Sequence, residues 1–209
     1  AVALRGNLAL AVIDAQLYGS QDSGMNWSPL GQLSQQFWGE VHDVSIDTHS
    51  AAVYAATDNG VYVAKNQRPW RWERIIDLPR VHKLVKRSSD SEELLIVARG
   101  PNDQDSLYRW WPGQTARAMT VFSDHVQALA ADPNQASGVA VYALLNNGDV
   151  AAVSHQGARH SLGRRPDWPW EQSFTLLAVP SPSGAASTLL LGHTTGLLRF
   201  DGSFRFPAP

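Results

Sequence analysis

The chain has no cysteine, so disulfides, thiolate nucleophiles and cysteine-based metal sites are all excluded. It is also poor in charge: 17% of its 209 residues are Asp, Glu, Lys or Arg, and 17 basic against 19 acidic side chains leave a formal net charge of −2. So even a balance offers no electrostatic footprint for nucleic acid or an anionic membrane, and no nucleic-acid partner is expected. Long apolar runs are missing as well. Stretches such as Leu8–Ile13 are far too short to cross a bilayer, so no membrane insertion is expected. No window of helical length holds a sustained 3.6-residue apolar pattern, which predicts very little helix. Phosphate-cradling glycine loops, G-x-S-x-G, H-E-x-x-H and EF-hand patterns are all absent. The run Asn102-Asp103-Gln104-Asp105 lacks the glycine and distal glutamate of a calcium loop and reads as a solvated hairpin tip. No cofactor is expected.

What is present is a folded, turn-rich composition, with 44% hydrophobic residues, eight Trp and sixteen Gly. Ala1 opens the sequence with no methionine and no charged-then-apolar leader. Removal of an initiator Met, a cleaved signal and a piece of a longer chain all fit that start. Turn signals flanked by apolar strands recur along the chain at positions 15, 60, 104, 148 and 196, with spacings of 45, 44, 44 and 48. Asp14-Ala15, Asn59-Gly60, Asn147-Gly148 and Thr195-Gly196 are the clearest of them. Each unit opens on an apolar strand, at 41–46, 81–85, 126–130 and 174–179. A polar stretch follows, as at Asp47-Thr48-His49-Ser50 and Asp132-Pro133-Asn134-Gln135. Then come a hairpin and a fourth strand, as at 70–76. Four short strands per forty-odd residues, repeated, read as propeller blades. The first unit is shorter, its opening strand confined to residues 1–4 with Arg5-Gly6-Asn7 as the turn. Either the propeller closes with five blades or more sequence lies upstream; five is the expectation.

Ser20, Asp22, Gly24 and Trp27 stand in the order S-x-D-x-G-x-x-W. This resembles the Asp-box, or BNR, repeat of sialidases, sortilin-type receptors and photosystem assembly factors. The other units keep fragments only: Gln67 and Pro69 stand where Asp and Gly would be, Ser154 and Gly157 keep the ends, and Asp201-Gly202 keeps two residues. The resemblance implies a propeller in which the box is turn chemistry on the outer part of a blade. There Asp accepts backbone N–H groups, Gly supplies a conformation closed to other residues, and Trp packs between neighbouring sheets. It also weights the compartment toward an extracytoplasmic one.

Three constellations could carry function. His42 and His82 each follow the Val that opens a first strand, and His125 lies one residue earlier in its unit, beside Asp124. First strands line a propeller channel, so these side chains are expected near one mouth. Imidazole would suit zinc or copper there, but the spacing is not that of a ligand set and no metal site is expected. Trp110-Trp111 face opposite ways if they lie in a strand, while Trp168 and Trp170 are held in a loop by their prolines. Trp111, Trp168 and Trp170, with Arg164 and Arg165, are the candidate partner-binding residues, because Trp and Arg are enriched where proteins meet. Sialidase chemistry would need an arginine cluster, a Tyr–Glu nucleophile and an acid. The Arg residues are scattered, and acids such as Asp43 and Asp124 match no such pattern.

The expected protein is therefore all-β: a single-domain β-propeller of five four-stranded blades, at about 1–40, 41–80, 81–123, 124–171 and 172–209. The resemblance implies a non-catalytic scaffold with protein partners. The alternatives are a carbohydrate-binding propeller working through exposed Trp, and a glycoside hydrolase of sialidase-like type.

Overall fold

Alternating apolar residues and tight turns produce short strands that pair with their neighbours in sequence. A computed structural model describes residues 1–30, 39–47, 49–65, 70–87, 91–134, 137–164, 175–180, 187–193 and 196–200. Strands β1 (Val2–Arg5), β2 (Leu8–Ile13), β3 (Gln16–Ser20) and β4 (Ser28–Pro29) form the first sheet in chain order. The second is β5 (Val41–Ile46), β6 (Val53–Thr57), β7 (Gly60–Ala64) and β8 (Trp72–Ile76), and the third β9 (Val81–Lys86), β10 (Leu94–Arg99), β11 (Asp105–Trp110) and β12 (Arg117–Val121). The fourth is β13 (Val126–Ala131), β14 (Val139–Leu145), β15 (Asp149–Ser154) and β16 (Arg159–Arg164). The fifth, among the described residues, has three strands: β17 (Thr175–Val179), β18 (Thr188–His193) and β19 (Gly196–Phe200). Successive up-and-down antiparallel sheets of this kind make the fold all-β, a β-propeller.

The chain divides into two compact units, Ala1–Asp103 with Tyr108–Arg117 and Gln104–Leu107 with Ala118–Pro209. In the first unit, β1 lies against β5 and β5 against β9; in the second, β13 lies against β17. The cores follow from the period-2 alternation of the strands. Leu8, Leu10 and Leu17 of the first sheet pack on Val44, Ile46, Val53 and Ala55 of the second. The second sheet's opposite face, with Tyr54, Ala56 and Val61, packs on Leu84, Leu94, Ile96 and Trp110 of the third. In the second unit, Tyr142, Leu144 and Val150 pack on Leu176, Leu189 and Leu191. Each fully buried Leu or Val contributes about 1.5–3 kcal/mol.

Two details of the turns differ from the sequence expectation. The β6–β7 turn is Asp58-Asn59, and Gly60 already belongs to β7, at φ 127°, where a Cβ would stand 2.1 Å from the Ile76 carbonyl oxygen. Glycine is needed there because the backbone of β8 comes so close. The strand expected at 70–76 begins at Trp72, although Trp70 stacks on Trp72 with ring centroids 6.2 Å apart.

After β3 the chain enters a compact turn. Ser20 Oγ accepts the Gly24 N–H at 2.8 Å and donates to Asp22 Oδ1 at 2.7 Å, while Asp22 accepts the Asn26 backbone N–H at 2.8 Å. These bonds, led by the Asn26 N–H, hold the Asp22 carboxyl down at about 2. Gly24 sits at φ 91°, and the Trp27 indole N–H reaches back to the Gly24 carbonyl at 2.9 Å. Trp27 is 43% exposed, so it folds over its own turn instead of filling a gap between sheets. In the fourth sheet, Ser154 Oγ accepts the Gln156 and Ala158 N–H groups at 3.3 and 3.1 Å, which repeats the part played by Ser20.

Candidate functional site

Strand alternation sends Trp110 into the core, where it is 6% exposed, and leaves Arg109 and the half-buried Trp111 on the other side. Glu93, placed just before β10, is buried at 1% exposure and could not remain charged there unpaired. Arg87 Nη1 donates to its Oε2 at 2.9 Å, and Arg109 donates through Nε and Nη2 to its Oε1 at 3.0 and 2.8 Å. The fork fixes the plane of the Arg109 guanidinium, which lies 4.7 Å from the centroid of the Trp111 ring. Trp111 therefore stands on a cation that is itself clamped by a buried carboxylate. Glu93 carried no motif in the sequence; an acid directly ahead of the apolar run from Leu94 to Ala98 was its one trace. Trp168, Trp170 and Arg165 lie outside the described residues, as does the side chain of Arg164, whose backbone ends β16.

The histidines resolve differently from their sequence spacing. Register in the first strands of the second, third and fourth sheets skips one residue, and the skipped residues are His42, His82 and Gln127. Gln127, and not His125, is thus the counterpart of His42 and His82. His125 corresponds to Glu40 and Arg80: the carbonyls of all three accept an N–H at the end of the second strand, from Asp58, Arg99 and Asn146. His42 Nε2 meets Asp58 Oδ1 at 2.7 Å. Burial raises the Asp58 pKa, but the Glu40 N–H and His42 outweigh it and leave the carboxyl below its usual range. His125 Nδ1 lies 3.8 Å from Asp105, which is fully buried and accepts the Val126 N–H at 2.6 Å. Among the described residues, no three His, Asp or Glu side chains gather as a metal site.

Asp43 and Asp124 both accept backbone N–H groups, Asp43 through both carboxylate oxygens. Asp43 Oδ1 accepts the Val44 N–H at 2.9 Å and Oδ2 the Leu84 N–H at 3.0 Å, tying β5 to β9. Burial pushes the Asp43 carboxyl up, against the pull of Lys83 and the two N–H groups. Asp124 Oδ1 accepts the His125 N–H at 2.7 Å.

Two polar clusters have a larger structural part than their sequence suggested. Asp47 and Asp132 each close a first strand, and each accepts the N–H two residues on, from His49 at 2.8 Å and Asn134 at 3.0 Å. Asp47 also accepts Ser50 Oγ at 2.7 Å and the Lys86 ammonium from the next sheet. Asp132 accepts the hydroxyls of Ser137 and Tyr142 in its own sheet and of Ser187 ahead of β18.

No protein-family model and no curated protein matches the sequence. Solved structures do resemble it. The extracellular domain of BT4673 from B. thetaiotaomicron matches at TM-score 0.64 and 15% identity over 95% of this chain and 27% of its own. A structure of YCF48 bound to D1 peptide matches at TM-score 0.55 and 18% identity over 95% of this chain and 62% of its own. XC5397 from Xanthomonas campestris, a gluconolactonase, matches at TM-score 0.70 and 14% identity over 97% of this chain and 72% of its own. The chain thus spans about a quarter of the first of these and under two thirds of the second. Such distant identities carry the architecture without the chemistry, and what they establish is that this chain has the fold of a β-propeller.

Proposed function

We propose that this chain is a non-catalytic interaction module, one five-bladed propeller domain that holds a protein partner on the loop after β11. The observation that carries the reading is the Trp111–Arg109–Glu93 stack. An indole standing on a guanidinium that a buried carboxylate fixes at 2.8 and 3.0 Å is an anchor ordered before its partner arrives. Two further features support it. YCF48, which has a similar fold, has a structure bound to a peptide. The bonding of Ser20, Asp22, Gly24 and Trp27, echoed at Ser154, favours placing the chain among Asp-box propellers.

Catalysis is the competing reading, because a gluconolactonase carries a similar fold. The backbone bonds of Asp43 and Asp124 favour structural roles for those two acids. A pull-down from the native source with wild type beside Trp111→Ala, read by mass spectrometry, tests the proposal. Stoichiometric recovery of one protein, lost in the variant, supports it. Turnover of lactones or aryl glycosides by the wild type would displace it, and selective glycan binding with no protein recovered would favour the carbohydrate reading.

A further inference from the structure

Asp22 stands alone in the sequence. From residue 15 to residue 39 it is the one charged side chain, in a stretch otherwise made of apolar, glycine, amide and hydroxyl residues. Neutral donors bind its carboxylate: the Ser20 hydroxyl at 2.7 Å, the Asn26 backbone N–H at 2.8 Å and the Asn26 carboxamide at 2.6 Å. Such donors stabilise a charge without cancelling it. Hydrogen bonds account for the lowering of this carboxyl to about 2, and among the described residues no cation takes part. The turn after β3 therefore carries a fixed negative charge at neutral pH. Arg5, on the β1–β2 tip, is directed elsewhere, since its Nη2 donates to the His49 carbonyl at 3.3 Å.

Trp27 belongs to the same turn. Its N–H is spent on the Gly24 carbonyl at 2.9 Å, so the ring has no donor left for a partner. What it offers, at 43% exposure, is carbon surface, and the faces of an indole are the negative side of its quadrupole. Met25, two residues earlier and 81% exposed, adds flexible apolar surface. The turn is fixed before anything binds. Ser20 Oγ accepts the Gly24 N–H at 2.8 Å, and the Ser23 N–H donates to the Asn7 carbonyl on the β1–β2 tip at 3.0 Å. A ring held in this way loses little freedom when a partner covers it.

We propose that this turn is a docking point for a basic side chain, an Arg or Lys of a partner protein seated on Trp27 in the field of Asp22. A guanidinium or ammonium is drawn to the face of an indole, and Arg is the commoner of the two. The Asp22 charge attracts the same groups. The methylene stem of Arg or Lys covers apolar surface while its head stays in water, and Met25 supplies such surface. An acidic segment would instead meet a carboxylate and a negative ring face. A neutral sugar would gain from the ring and leave the charge unanswered. Trp111 differs, because its ring already has a cation of its own chain, Arg109, on one face.

Nuclear magnetic resonance on the nitrogen-labelled chain tests it, following the Asn26 backbone amide and the Trp27 indole N–H, the latter assigned by its absence in Trp27→Phe. The probes are a capped Gly-Arg-Gly peptide and the same peptide with citrulline for arginine, which keeps the planar shape and removes the charge. The arginine peptide should shift both signals in a saturable way, and the citrulline peptide should bind about fivefold more weakly or worse. Trp27→Ala should lose the response at Asn26. Asp22→Asn should weaken binding, and because that change also touches the turn, salt is the second measurement. Binding to the unaltered chain should fall several-fold between low and high salt as the Asp22 charge is screened. Equal binding of the two peptides, indifference to salt, a response that survives Trp27→Ala, or no response at all overturns the proposal. Shifts caused by a neutral disaccharide and not by the arginine peptide would assign the turn to carbohydrate and overturn it too.

Discussion

Asp47 and Lys86 form an ion pair that joins two successive sheets, with 7% and 9% of their side-chain surfaces exposed. Asp47 follows β5 and Lys86 ends β9, so the pair fastens the same end of both strands. Removing one partner of a buried pair leaves the other charged and desolvated. Lys86→Met should therefore cost about 3–5 kcal/mol in urea unfolding at neutral pH.

The same pair sets an acid dependence. Burial raises the Asp47 pKa, but Lys86, Ser50 and the His49 N–H outweigh it and bring the carboxyl from 3.8 to about 2. A carboxyl depressed in the folded state binds its proton more weakly there than in the unfolded chain. Its contribution, on the order of 2 kcal/mol, is present above the unfolded pKa and lost as pH falls through the folded one. Between 3.8 and about 2 the wild type should lose stability more steeply than Asp47→Asn. Equal slopes for the two proteins would refute the assignment.

Asp132 is held by three hydroxyls and one backbone N–H. Asp132→Ala orphans buried donors and should cost about 3 kcal/mol, whereas Ser187→Ala leaves the other bonds intact and should cost about 1 kcal/mol. Burial and then Asp132 push the Tyr142 phenol up to about 12. Ultraviolet titration of Asp132→Asn should find that phenol ionising at lower pH than in wild type.

Gly60 and Gly113 separate two kinds of glycine. Both have positive φ, 127° and 74°, but a Cβ at Gly113 meets nothing within 4 Å while one at Gly60 meets the Ile76 carbonyl oxygen. Gly113→Ala should cost about 1–2 kcal/mol, the backbone term alone. Gly60→Ala should be clearly worse, since the β7–β8 pairing itself has to move. Thermal melts of the two variants side by side give the comparison.

Glu93 and Trp111 should divide stability from binding. Glu93→Ala leaves Arg87 and Arg109 without their buried counter-charge and should cost about 3–5 kcal/mol. Trp111→Ala gives up little more than a cation–π contact of about 1 kcal/mol, so the fold should persist while partner capture is lost. A variant at Trp111 that melts as early as Glu93→Ala would make the indole a core residue.

Strand positions were largely legible because alternation and turn residues are local. The first strand of the second sheet spans 41–46 in both readings, and Asp14-Ala15 is the turn it was expected to be, with φ of 48° and 60°. The histidines were not legible. The residue after the opening Val is bulged in all three strands, at His42, His82 and Gln127, and His125 lies two residues ahead of that position. A bulge depends on what pairs across the strand, which no single strand records. Trp27 was legible as turn chemistry but not as an exposed ring, because exposure depends on which sheet, if any, lies above it.

Period-2 patterning, the spacing of the turns and the residues that permit them determined that this chain would form successive short antiparallel sheets. Each of those signals acts within a few residues, where backbone sterics and local hydrogen bonds decide the outcome. Only the tertiary structure decided that Asp47 would meet Lys86, that Glu93 would hold Arg109 beneath Trp111, and that Trp27 would lie exposed. Those outcomes depend on desolvation and on partners roughly 15 to 55 residues away, where the environment of a side chain is set by the neighbouring sheet and not by its own.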